Sequence, residues 1–178
     1  MSNRDEIPFE QVPFEVSHPH LKEFAGLLPE LNKESDRGCV MVACSYLDEL
    51  LRRILLAFFI EVKTSTELVE GFNAPLGTMS TRAAAAYSLG LIREVEFNEI
   101  EILRRVRNRF AHGVHVSFST DGIKDLCRNL SMCVPEVAED APGVRALYVT
   151  SATALILKLT NRPSYVARKR LKSEAWPY

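Results

Sequence analysis

Residues 36–62 read DRGCVMVACSYLDELLRRILLAFFIEV, and the spacing inside this stretch decides the fold. Val40, Ala43, Leu47, Leu50, Leu51, Ile54, Leu55, Phe58 and Phe59 recur at intervals of three and four, as the residues of one helical face do. The run holds strong helix formers and no proline. Asp48 with Arg52 and Glu49 with Arg53 are i,i+4 pairs with the acid first, the favourable order along a helix. The stretch therefore predicts one long helix from Asp36 to Val62 with a broad buried face, the centre of a helical assembly.

The same period extends outward from it. Upstream, a first helix starts after Ser17 or Pro19 and runs through HLKEFAGLLPELN, disturbed at Pro29. Downstream, TSTELVEGFNAPLGT reads as a short helix capped by Ser65 or Thr66 and ended by Gly71, then a loop marked by Asn73, Pro75 and Gly77. Helices follow from Ser80 to Gly90 and over residues 94–112. VHVSFS alternates and is β-branched, which predicts a short extended segment over 114–119. Asp121 can cap a helix through KDLCRNLSM, Pro135 and Pro142 bracket a loop, and a last helix covers Val144 to Thr160. The expected fold is all-α, a single-domain bundle of about six or seven helices. It divides into an acidic N-terminal arm (1–17), a helical domain (18–161) and a basic C-terminal tail (162–178).

Composition narrows the function. A net charge of −1 over 178 residues gives no overall drive toward nucleic acid or anionic lipid. The four cysteines form no C-x-x-C pair, and no signal peptide is visible, so the thiols read as reduced and buried in a cytoplasmic protein. ILLAFFIEV, the longest apolar stretch, falls far short of the ~20 residues of a membrane span. No cofactor is expected: the Pro75-Leu76-Gly77 loop lacks the spacing and lysine of a phosphate loop, and no serine-centred nucleophile motif is present. No metal is expected either, since His18-Pro-His20 and His112-x-x-His115 have no further ligand at a recognised spacing.

The chemistry concentrates in RRVRNRFAHG, residues 104–113. On a helical wheel with Phe97 at zero, Phe97, Ile100, Leu103, Val106 and Phe110 cover an apolar arc centred near roughly 270°, and Arg107 falls at roughly 280°, inside it. Arg105 and Arg109 fall on the far, solvent side. Asn108 and His112 stack at the border of the apolar face, with Arg104 beside them. An arginine on a buried face needs a carboxylate, carbonyls or a water-filled cleft. The candidate acids are Glu34, Asp36 and Asp48. One reading makes Arg107 a tie between helices, completed by Asn108 and His112; another lets it snorkel to solvent.

Arg107-Asn108-x-x-x-His112 resembles the Arg-x4-His signature of HEPN-type helical domains. In the ribonuclease members of that group two copies meet in a dimer to form the active site. The resemblance implies a metal-independent endoribonuclease, or an inactive relative, with Arg107, Asn108 and His112 as catalytic residues. Arg107 would stabilise charge on the scissile phosphate, His112 would carry the proton of a ribose 2′-hydroxyl, and Asn108 would orient them.

A wider likeness covers residues 30–130. ESDRGCVMVACSYLDELL (34–51), GFNAPLGTMSTRAAAAYSLGLI (71–92) and RRVRNRFAH (104–112) are similar to the mannitol operon repressor (MtlR-like) family. The features shared are the Pro75-Leu76-Gly77 loop, Ser80-x-Arg82, Tyr87, Leu89-Gly90-Leu91-Ile92 and the terminal His112. The chain differs from the mannitol-specific members in its fuller R-N-R-F-A-H ending and its basic tail. The family implies an all-helical transcriptional regulator, a repressor acting through protein–protein contacts without an evident DNA-binding motif. Its expected partners are a second copy of the chain and another protein.

A helix-turn-helix is the obvious competitor. Ala86-x-x-x-Gly90 resembles a first helix and turn, but the helix after it carries Glu94, Glu96, Glu99 and Glu101, which would repel phosphates. The better electrostatic candidate is the tail, where Arg168, Lys169 and Arg170 can contact RNA or other nucleic acid without sequence choice. Together with Arg104, Asp36 and Asp48 they complete the candidate binding residues.

Overall fold

The computed structural model describes residues 22–133 and 141–177. In chain order the helices are α1 (Lys22–Lys33), α2 (Asp36–Phe58), α3 (Lys63–Val69), α4 (Met79–Ser88), α5 (Glu94–His112), α6 (Asp121–Arg128), α7 (Ala141–Thr160) and α8 (Arg162–Ala167). No strand occurs among the described residues, and the fold is all-α as expected. The acidic arm over 1–17, His18, His20 and Pro135 lie outside the described residues.

α2 is the axis of the bundle, in contact with α1, α3, α4, α5, α7 and α8. Ser35 caps it: the Gly38 N–H donates to Ser35 Oγ at 3.1 Å. Its fully buried residues, from Cys39 to Leu55, follow the apolar period. The helix stops at Phe58 rather than Val62, because Phe59 turns to an extended conformation (ψ 158°). Of the two expected acid–base pairs along α2, Glu49–Arg53 is present at 2.7 Å. Asp48 is drawn to Arg82 instead, and Arg52 bonds Glu49 and Glu70.

α4 opens with a reciprocal cap in which the backbone N–H groups of Thr78 and Thr81 each donate to the other's hydroxyl at 3.2 Å. Between α4 and α5 the chain reverses at Gly90, whose φ of +68° suits glycine and lets Leu91 donate back to Ala86 O at 2.8 Å. α5 covers the expected residues 94–112.

One further expectation fails. Residues 114–119 are turn and irregular backbone, not an extended strand. A bundle offers no sheet edge to pair with, and the alternation serves another end: Val114 points out while Phe118 drops into the core against Phe110 and Tyr148, with ring centroids at 5.2 and 5.6 Å. Beyond residue 161 the chain continues against the bundle. α8 packs on α2, Arg170 Nε donates to Ala57 O at 3.2 Å, and Leu171 N–H donates to Phe58 O at 2.8 Å. Among the described residues, no helix is long and apolar enough to cross a membrane.

Candidate functional site

The C-terminal half of α5 is the wall between two openings. On one side α5 and α6 enclose a groove of about 970 Å³. Arg105, Asn108, Arg109 and His112 line it from α5, Asp125 and Asn129 from α6, and Val116, Ile123 and Leu126 form its apolar floor. On the other side lies a cleft of about 310 Å³ between α5, α2 and the start of α4, lined by Cys44, Ser45, Asp48, Ser80 and Arg107 among others. Arg104 borders both.

Arg107 is exposed at the mouth of the smaller cleft, and Nη1 donates to Asn108 Oδ1 at 3.2 Å. It is neither a buried tie between helices nor bound to Glu34, Asp36 or Asp48. Asp36 pairs with Arg145 at 2.7 Å, and Asp48 with Arg82 at 2.8 Å. Arg107 opens to solvent at the cleft mouth, the snorkelling alternative among the readings of the sequence. Arg104 is held by Glu101 through a two-pronged contact, Nε to Oε1 at 2.9 Å and Nη2 to Oε2 at 2.7 Å. That contact holds the Glu101 carboxyl below its ordinary range.

Arg107 and His112 therefore do not meet within one chain. Five residues along a helix is a turn of about 140°, and the two side chains open into different spaces: His112, exposed, faces the α5–α6 groove with Asn108. Of the tail residues, Arg170 is committed to Ala57 and Glu61, while Arg168 lies 5.5 Å from the Tyr165 ring and Lys169 is exposed.

The charges that the fold buries are others. Glu96 (3% exposed) accepts the Arg93 N–H at 2.7 Å and Arg162 Nη2 at 2.7 Å; Arg162 also donates to Leu91 O at 2.8 Å. Glu99 (1% exposed) accepts the Ser131 hydroxyl at 2.8 Å, the Ser131 and Met132 N–H groups, and the Ser151 hydroxyl, joining α5 to α7 and the segment after α6. Arg82 is buried and donates to Leu76 O and Val69 O at 2.9 Å, which fixes the Pro75-Leu76-Gly77 loop. The wheel held the signal for the two acids: Glu96 and Glu99 fall at roughly 260° and 200°, inside the apolar arc. The groove role of Arg105 and Arg109 was missed because no wheel shows that α6 stops short of covering them.

The thiols are as expected for buried cysteines. Cys44 donates toward Leu103 O at 3.7 Å and lies 3.4 Å from the Tyr148 hydroxyl; burial pushes its thiol up to about 11. Cys39 and Cys127 are also buried, whereas Cys133 is half-buried. Among the described residues no group of three potential ligands is placed to hold a metal.

No family model and no curated protein matches this sequence. The fold, however, is similar to that of a chain in the X-ray structure of the MtlR–HPr complex from Escherichia coli. The TM-score is 0.55 at 22% identity, over 80% of this chain and 97% of that one. The likeness is one of fold. Within this chain the motif residues quoted from the sequence have structural work. Arg82 and Leu76 build the loop before α4, Leu91 and Ile92 are buried, and Tyr87 stacks on Phe97 with centroids at 4.8 Å.

Proposed function

We propose that this chain is a cytoplasmic regulator of transcription, a repressor that works through protein–protein contacts rather than by reading DNA itself. One observation carries the reading: its fold is similar to that of a chain from a complex formed with another protein, HPr. The helix that a helix-turn-helix would present to DNA supports it as well, because α5 buries Glu96 and Glu99 in the bundle and exposes Glu94. The test is a calorimetric titration of the purified chain with HPr from its own organism, beside a mobility-shift assay on promoter DNA. Protein binding without sequence-selective DNA binding is the expected outcome. Tight, sequence-selective DNA binding by the chain alone, surviving raised salt, refutes the reading.

A second reading, the HEPN-type endoribonuclease, is favoured by the state of Arg107. It is an exposed guanidinium with no carboxylate partner among the described residues, held by Asn108. Because Arg107 and His112 line separate openings, this reading requires a homodimer in which one copy's arginine serves the other's histidine. RNA incubated in EDTA with wild type and His112→Ala decides it: cleavage by wild type alone supports the reading, while equal cleavage, or none, rejects it.

A further inference from the structure

The α5–α6 groove carries an unequal distribution of charge. Arg105 and Arg109 have no ion pair among the described residues, and they make one wall cationic in a chain whose net charge is −1. Arg109 stands in the last turn of α5, where a cation offsets the helix dipole, but Arg105 lies a turn earlier and has no such role. The floor is apolar, and the far wall bears a carboxylate, Asp125.

These features select the occupant. A nucleic-acid strand would find a single ring, His112, to stack a base on, and would leave the apolar floor of Val116, Ile123 and Leu126 uncovered; the Asp125 carboxylate on the far wall is already paired with Arg128 at 3.7 Å. A protein segment with apolar side chains on one face and carboxylates along one edge satisfies floor and wall together. Arg105 and Arg109, four residues apart, are separated by about 6 Å along the axis, the repeat of two acids at i and i+4 on a partner helix. We infer that the α5–α6 groove is the docking site for an acidic amphipathic segment of a partner protein, its carboxylates on Arg105 and Arg109 and its apolar face on Ile123 and Leu126. This rests on the reading of the chain as a protein-contact regulator and names the surface and the chemistry it uses.

Gly122 supplies a test independent of charge. It lines the groove, and a Cβ built on it meets nothing within 4 Å, so a large side chain there adds bulk at the groove's lining without a clash at its base. The probes are a fluorescent helical peptide of glutamate and leucine at i,i+4 spacing and a single-stranded oligouridylate, each titrated by anisotropy. Wild type should bind the peptide more tightly than the oligouridylate. Gly122→Trp and the double variant Arg105→Glu/Arg109→Glu should each weaken the peptide at least about tenfold, with melting curves showing both folded. Peptide affinity unchanged in the folded variants, or preference for the oligouridylate, overturns the proposal. HPr, titrated alongside, separates the two readings. If HPr binds but neither variant affects HPr or peptide, the groove assignment fails and the protein-contact reading stands. If the peptide binds as stated and HPr does not, the groove stands and that reading loses its support.

Discussion

Arg107 and Arg162 show how differently one residue type is used on the same bundle. Arg107 is exposed and bonds only its neighbour Asn108, so Arg107→Ala should change stability by no more than about 0.5 kcal/mol, read from thermal melts. Arg162 compensates a carboxylate that is almost wholly sealed, and Arg162→Ala should cost about 3 kcal/mol, at the low end for a broken buried pair because the guanidinium is itself partly solvated. Sequence period pointed to the wrong one. It weighed Arg107 because its angle lay within the apolar arc, yet an angle on a wheel cannot say where the neighbouring helices end. The cysteines were more legible, since burial of a thiol follows the helical face that carries it. With the Cys44 thiol raised to about 11 and Cys127 to about 12, both by burial, alkylation at neutral pH should reach Cys133 first and leave Cys39, Cys44 and Cys127 intact, as peptide mass spectrometry would show.

Among the elements, the long periodic helices were legible and the short pieces were not. α5 was expected over 94–112 and occupies those residues, because nineteen residues of one period leave little freedom. The segment over 114–119 was misread because the three apolar residues of a short alternating run, Val114, Val116 and Phe118, fit a turn that anchors one aromatic as well as they fit a strand. α8 was lost inside a basic tail, since composition does not reveal that Arg162 and Arg170 have acids waiting on α5 and just beyond α2. A chain truncated after residue 161 should therefore lose the single cooperative melting transition of the full chain, as calorimetry can test. α2 carries a pH signature through Glu49, whose carboxyl is lowered from 4.5 to about 2, chiefly by the hydrogen bond from Arg52 and then by Arg53, against the opposing effect of desolvation. A depressed carboxylate stabilises the fold fully above its unfolded value and loses that contribution as pH falls from about 4.5 toward 2. Glu49→Gln should accordingly flatten the acid limb of a plot of Tm against pH.

At the scale of the molecule, the all-α architecture and the place of α2 at its axis could be read from residues 36–62 alone. Of the candidate site, the sequence marked the end of α5 as a polar cluster, but not that its side chains divide between two openings, a property of how α2, α4 and α6 are arranged around α5. The ties between distant segments were the least legible, because each joins residues that no local pattern relates. Glu96 pairs with Arg162, 66 positions later, and Asp36 with Arg145, 109 positions later. On the ribosome these intervals become times. At about 5–20 residues per second, Glu96 emerges roughly 3–13 s before the arginine that neutralises it. Until then, closing α5 onto α2 would bury an uncompensated carboxylate, a cost that falls away only when the segment carrying Arg162 arrives.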